Sequence, residues 1–117
     1  MKTLFAARRD CADDVVDHAE GVQLEQLLPF TTLLIRTMNS LYRVVIVEAT
    51  DVYVQGGEFF HDPEPATLDG SSTIRRCLKV GWIGVGRMME IRAQGRRITT
   101  SPVRGIIVEP PSCLVVH

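Results

Sequence analysis

The stretch RMMEIRAQGRRITTS, residues 87–101, decides the fold because its pattern is that of two β-strands joined by a tight turn. Arg87 to Ala93 and Arg96 to Ser101 flank the dipeptide Gln94-Gly95. Glycine readily adopts the positive φ that a two-residue hairpin turn requires. We therefore predict a hairpin with three cross-strand pairs: Ile91 with Ile98, Met89 with Thr100, and Arg92 with Arg97.

A second hairpin is predicted upstream of the first. Thr31 to Met38 and Leu41 to Glu48 flank Asn39-Ser40, and asparagine tolerates the φ angles of such turns. This register places two pairs opposite each other: Ile35 with Val44, and Arg36 with Arg43. Each predicted hairpin therefore places two arginines opposite each other. Their like charges repel unless a neighbouring group neutralises them.

Further short strands are expected between and after the hairpins. Residues 52–55 alternate in the manner of a strand, and Gly56-Gly57 then marks a bulge or a bend. His61 to Pro65 is expected to be a loop, because two prolines interrupt a regular ladder. Strands through Ala66 to Leu68 and Val103 to Glu109 complete the set. About six short strands predict a mainly β fold, a small antiparallel barrel or sandwich.

The N-terminal segment has the pattern of a short amphipathic α-helix. Asp10 is a suitable cap for a helix over Cys11 to Glu20, and Gly21 follows at its end. Such a helix is marginal alone in water and needs a surface on which to pack. We predict a single domain over 1–117, with three parts: an acidic helical segment over 1–23, a β core over 24–109 and a tail over 110–117.

Charge is unevenly distributed along the chain, although the net charge is only −1. Residues 1–69 carry five basic and twelve acidic side chains, whereas residues 70–105 carry eight basic side chains and only Glu90. Two surfaces of one molecule therefore attract each other, or one surface awaits a partner of opposite charge. The candidate anion or partner surface consists of Arg75, Arg76, Lys79, Arg87, Arg92, Arg96, Arg97 and Arg104.

Two interpretations of the opposed arginines are open. In the first, they pair diagonally with an acidic residue such as Glu90 or Glu48 and otherwise extend into water. In the second, the arginines of the later hairpin meet an anion. That anion is either a nucleic-acid backbone or the acidic helix of this chain or of a neighbouring copy.

Nucleic acid is the less favoured partner. Aromatic content is 6%, and a pI near 6.3 lacks the basic signature of a dedicated binder. Trp82 is the single aromatic residue of the basic region, and it is expected either in the core or lining a cleft. The glycine cluster over 81–86 departs from a dinucleotide fingerprint, so bends between closely packed strands are its expected use.

Catalysis, metal binding and cofactor binding have little support in the sequence. The tightest polar cluster consists of Glu58, His61, Asp62 and Glu64. These types suit a divalent metal or acid–base chemistry, but a surface loop rich in carboxylates is usually solvated. We predict no catalytic or metal-binding residue, no cofactor and no enzymatic activity.

Cysteine usage and hydropathy give an expectation about location. Cys11, Cys77 and Cys113 lack paired spacing and are odd in number, which predicts inert thiols instead of a disulfide framework. The sequence contains neither an apolar run long enough to cross a membrane nor the pattern of a secretory signal. We therefore predict a cytoplasmic protein without a membrane partner.

Several strings of this sequence resemble a family of small uncharacterised bacterial all-β proteins. They are LIRTMNSLY at 34–42, VQGGEFF at 54–60, KVGWIGVG at 79–86 and TTSPV at 99–103. The similarity covers about residues 24–108. It implies a bacterial β domain of unknown function and no particular site residues.

The function that we expect is a noncatalytic binding or assembly module. Its acidic helix and its basic β surface engage each other within one chain or between copies, so that the partner is the protein itself, as a homo-oligomer, or another protein. The alternative is anion or nucleic-acid binding by the C-terminal hairpin. A third reading is a small-ligand domain with Trp82 lining a cleft.

Overall fold

The described part of the protein is residues 20–111 of a computed structural model. Apart from its last residue, the predicted helix over Cys11 to Glu20 lies outside these residues, as does the tail from residue 112 onward. Gly21–Gln23, which the prediction placed in the helical segment, forms a short strand instead. These three residues therefore belong to the β structure.

Nine β-strands account for nearly all the regular structure in residues 20–111. They are β1 Gly21–Gln23, β2 Thr32–Thr37, β3 Leu41–Glu48, β4 Asp51–Gly56, β5 Phe60–Ser72, β6 Leu78–Val80, β7 Trp82–Gly84, β8 Met88–Ala93 and β9 Arg96–Glu109. A single turn of 3-10 helix, Leu24–Gln26, follows β1. The pairings between these strands are antiparallel, which confirms the predicted mainly β, antiparallel fold class.

Six of the strands pair in a closed series. β2 pairs with β3, β3 with β4 and β4 with β5, so these four strands follow one another as they do along the chain. β5 also pairs with β8, β8 with β9, and β9 returns to β2. β6 extends the sheet from β5, while β1 and β7 form a separate two-stranded sheet. Because both β4 and β8 flank β5, the two halves of the chain meet there.

An apolar core lies on one face of this series, because buried and exposed side chains alternate along the strands. In β4, for example, Val52 and Val54 are buried whereas Tyr53 is exposed. The largest fully buried side chains are Phe60, Leu24, Leu33, Ile35, Ile46, Leu68, Ile83, Met89, Ile91, Val44, Val54 and Val103. They come from the closed series, from β7 and from the 3-10 turn, so those elements share one core.

Strand β5 runs through the segment that two prolines were expected to keep as a loop. The backbone N–H of Leu68 donates to the carbonyl of Thr50 on the β4 side of the strand. Because backbone groups alternate in direction, the nitrogens of Pro63 and Pro65 point away from β4. On that other side, β8 begins to pair only at Thr67. The prolines therefore remove no ladder hydrogen bond, and the loop prediction is wrong.

The later hairpin, β8–β9, is confirmed near its turn. Two predicted pairs are present: Ile91 with Ile98, and Arg92 with Arg97. Gln94 and Gly95 have φ values of 50° and 75°, the left-handed conformation of a type I′ turn. Further from the turn a β-bulge shifts the register. There the N–H of Met89 donates to the side-chain hydroxyl of Thr100, in place of the predicted strand pair.

The earlier hairpin, β2–β3, forms with a different register from the predicted one. The hydroxyl of Thr37 accepts a hydrogen bond from the N–H of Ser40 at 3.0 Å, which closes the turn one residue earlier than expected. Arg36 then lies opposite Leu41, not Arg43. Both predicted pairs of this hairpin are wrong, because a side-chain hydrogen bond fixes its register.

Candidate binding surfaces

The basic residues predicted to form one surface are divided between several places. Just before β6 or on it lie Arg75, Arg76 and Lys79, and the β8–β9 hairpin carries Arg92, Arg96 and Arg97. Of the other two, Arg87 is buried and Arg104 lies further along β9. On β5, residues 70–72 pair with β6 while Thr67 pairs with Arg92. Three to five residues of strand correspond to roughly 10–17 Å. The basic residues around β6 and those of the hairpin therefore form two separate surfaces.

The first surface, which we call the basic edge, consists of residues 74–80, the β5–β6 connection and β6. Among the described strands β6 pairs only with β5, so its outer edge presents unpaired backbone groups. Ile74 is 84% exposed and Val80 is 70% exposed. Arg75 and Arg76 are exposed next to them. Apolar side chains flanked by cations are suited to an acidic amphipathic partner.

Cys77 lies within the basic edge and is disulfide-bonded. The other two cysteines, Cys11 and Cys113, both lie outside residues 20–111. The prediction of an inert thiol is wrong for Cys77, because spacing along a chain does not reveal which cysteines become neighbours in space.

Trp82 on β7 connects the basic edge to β1. The Nζ atom of Lys79 lies 4.6 Å from the centroid of the indole ring, within the range of a cation–π interaction. Gly21 and Gly84 pack against the ring so closely that neither position has room for a Cβ atom. Trp82 is therefore half-buried between β1 and the basic edge. This position is intermediate between the two predicted ones, in the core or lining a cleft.

The acidic residue of the basic region, Glu90, is buried and bonded to hydroxyl groups. Ser72 donates to Oε2 at 2.6 Å, and Thr99 donates to Oε1 at 2.8 Å. Arg87 is also buried, and its Nη1 donates to the carbonyl of Cys77 at 3.4 Å. Glu90 is therefore not the group that neutralises the hairpin arginines, and Arg87 supports the basic edge from inside.

The two arginines that face each other on the β8–β9 hairpin have different surroundings. Asp69 on β5 forms a bidentate ion pair with Arg92, with Nε–Oδ2 and Nη2–Oδ1 distances of 2.8 Å. The hydrogen bonds that Arg92 donates to this carboxylate, and then the negative charge of Asp69, raise the pKa of Arg92. Arg92 therefore pairs with an acidic residue as the first interpretation expected, but that residue is Asp69 instead of Glu90 or Glu48. Within residues 20–111, no acidic group forms an ion pair with Arg97.

An open groove, which we call the hairpin groove, lies beside this hairpin. Its first part, about 420 Å³, is lined by Val47, Asp51, Val52, Tyr53, Pro65, Ala66, Thr67, Arg92, Ala93 and Gln94. An adjoining part of about 410 Å³ continues along residues 92–97. The Arg96 guanidinium lies 5.4 Å from the ring centroid of Phe59, which is 45% exposed. Two exposed aromatic side chains, Phe59 and Tyr53, therefore border the arginines.

The polar cluster of residues 58–64 is distributed along the β4–β5 turn and the beginning of β5. Within the described residues, no three His, Cys, Asp or Glu side chains lie close enough together to hold a metal ion. Glu64 accepts a hydrogen bond from Gln94 at 3.0 Å, and the His61 carbonyl accepts one from Gln55 at 3.2 Å. Glu64 thus helps to hold the tip of the β8–β9 hairpin.

Sequence reasoning missed three neighbours of the hairpin arginines, namely Asp69, Tyr53 and Phe59. All three belong to β4, to β5 or to the turn between them, and they reach the hairpin because β5 pairs with both β4 and β8. The short strand predicted over Ala66 to Leu68 was the available signal. If that predicted strand had been extended back through Pro65 and Pro63, the aromatic residues would have been predicted next to the basic ones.

Comparison with known proteins adds no family to this description. Neither the protein-family models, nor the curated proteins, nor the solved structures contain a match to this chain. In residues 20–111 no helix has the length and apolar character needed to cross a membrane.

Proposed function

We propose that this protein is a noncatalytic binding or assembly module whose basic edge binds the acidic segment over residues 10–20. The observation that carries the proposal is the exposed apolar and cationic surface of β6, a strand with an open edge. Residues 10–20 contain five carboxylates and neither lysine nor arginine. The charge and the predicted apolar stripe of the segment therefore complement the basic edge.

The path of the chain supports engagement within one molecule. The N–H of Val85 donates to the carbonyl of Glu20 at 3.0 Å, so the acidic segment leaves the described residues next to β7. Strand β7 follows β6 after the single residue Gly81. The nine residues from Glu20 back to Cys11 reach at most about 30 Å when extended. We propose Cys11 as the disulfide partner of Cys77, because residues 12–20, which follow it, carry the complementary charge.

The acidic segment and the basic edge also suit engagement between copies of the chain. The proposed partner is therefore the protein itself, as a homo-oligomer, or another protein. We infer further that the closed series of six strands is a small barrel, since each strand has a partner on both sides. Anion or nucleic-acid binding by the β8–β9 hairpin is the alternative function and uses the other surface. A small-ligand site at Trp82 is less favoured, because Lys79 and Gly21 pack against the ring.

Reversing the charge of the basic edge tests the proposal. We expect Arg75→Glu, Arg76→Glu and Lys79→Glu together to accelerate amide exchange in residues 10–20 about tenfold, in the full chain and under reducing conditions. Each exposed ion pair contributes about 0.2–1 kcal/mol, and reversal replaces attraction by repulsion. Adding Asp13→Lys, Asp14→Lys and Asp17→Lys should restore slow exchange. Hydrogen-exchange mass spectrometry measures both variants.

The matched control reverses three exposed arginines outside the basic edge, Arg36, Arg43 and Arg104. This variant should leave exchange in residues 10–20 unchanged. The proposal fails if the control accelerates exchange equally, or if these amides already exchange at the rate of an unfolded peptide in the unaltered protein. Light scattering on size-exclusion fractions of the same samples separates engagement within one chain from engagement between copies.

A further inference from the structure

We propose that the hairpin groove binds single-stranded nucleic acid, with phosphates at Arg96 and Arg97 and a base against Tyr53. This surface lies apart from the basic edge. The inference therefore stands independently of the acidic segment, and each proposal can fail without the other.

Two arginines face each other on the β8–β9 hairpin, and an acidic residue neutralises only one of them. Arg92 and Arg97 form a direct cross-strand pair, a position in which like charges repel. Asp69 neutralises Arg92 through a bidentate ion pair, and that pair also fixes the guanidinium in place. Arg97 remains exposed and has no ion pair with an acid in residues 20–111. A bound phosphate supplies the missing negative charge at Arg97 and Arg96.

Aromatic side chains lie beside arginines that line the groove. The Arg96 guanidinium lies 5.4 Å from the ring centroid of Phe59, and Arg96 and Arg97 both line the adjoining part of the groove. Tyr53 is 46% exposed, and its strand neighbour Pro65 lines the same groove. An exposed aromatic face beside arginines is the combination on which unpaired bases stack.

One acidic residue that lines the groove and one beside the hairpin tip set the orientation of the ligand. Asp51 lines the part of the groove near Tyr53, and Glu64 accepts a hydrogen bond from Gln94 at the hairpin tip. Carboxylates repel phosphate but accept hydrogen bonds from the amino groups of bases, as in contacts to cytosine. The sugar-phosphate backbone is therefore placed along Arg96 and Arg97, and the base faces Tyr53. A base lying flat on Tyr53 must be unstacked, so duplex DNA does not fit this arrangement.

Fluorescence anisotropy with a labelled oligodeoxycytidylate, about ten nucleotides long, tests the inference on the full chain. We expect saturable binding at low salt that Tyr53→Ala weakens about five- to a hundredfold. Arg97→Ala should weaken binding and lower the slope of log affinity against log salt by about 0.7. Tyr53→Phe should bind like the unaltered protein, which separates loss of the ring from loss of folding.

Arg104→Ala is the matched control, since Arg104 is an exposed arginine outside the groove, and it should leave binding unchanged. The inference is overturned if the oligonucleotide shows no saturable binding. It is also overturned if the Arg97 variant loses binding while Tyr53→Ala does not, or if duplex DNA or inorganic polyphosphate binds as tightly. The last two results would mean that the surface attracts any polyanion.

Discussion

Gly70→Ala is expected to destabilise the protein by about 3 kcal/mol and to detach β6, the strand of the basic edge, from β5. Gly70 pairs with Val80 of β6 and with Glu90 of β8, and its φ of +148° lies where side chains are rarely tolerated. A Cβ atom there would collide with the backbone carbonyl of Lys79. Backbone strain costs about 1–3 kcal/mol, and a forced contact in packed surroundings costs a similar amount. Urea unfolding followed by circular dichroism measures the loss.

Gly86→Ala is the control for this effect. Gly86 also has a positive φ, +92°, but an added Cβ meets nothing within 4 Å. Only the conformational strain should remain, a loss of about 1 kcal/mol. Equal losses in the two variants would show that the carbonyl of Lys79 does not restrict Gly70, and the described attachment of β6 would then be wrong.

Phe60→Ala is expected to have the largest effect of any substitution considered, a loss of about 3–5 kcal/mol of unfolding free energy. Phe60 is 1% exposed and begins β5, where it pairs with Gly56 of β4. Truncation leaves a cavity where these two strands of the closed series meet. Chemical denaturation of the full chain gives the difference directly.

The adjacent residue provides the comparison. Phe59 is 45% exposed, and its ring lies against the Arg96 guanidinium. Phe59→Ala should therefore cost at most about 1 kcal/mol, the value of an exposed cation–π contact. If the two phenylalanines lose similar stability, β5 does not begin in the described register and the boundary between core and groove must be redrawn.

Much of the strand content could be predicted from the sequence, because turn residues and period-two patterns act over short distances. The β8–β9 hairpin was correct at its turn since Gln94-Gly95 adopts the left-handed conformation that fixes register. The β2–β3 hairpin was wrong in register because its turn is held by the hydroxyl of Thr37, a contact that no residue pattern announces. The extent of β5 was missed because prolines stop a strand only where their missing N–H is needed.

The candidate sites were less accessible to sequence reasoning than the strands. Most exposed cations of residues 20–111 do lie in residues 70–105, but the sequence does not reveal that β5 separates those around β6 from those of the β8–β9 hairpin. Nor does it reveal that Asp69, from the acidic half of the chain, neutralises Arg92. Such contacts depend on which distant strands become neighbours, and strand order is not encoded in local alternation.

Mass-spectrometric peptide mapping of the intact, unreduced protein is the most direct test of the claim that the acidic segment occupies the basic edge. Cys77 is disulfide-bonded, and the chain offers only Cys11 or Cys113 as its partner. We predict a peptide pair joined through Cys11 and Cys77, with Cys113 recovered as a free thiol. A bond between Cys77 and Cys113 would place the C-terminal tail at the edge and contradict the proposed engagement.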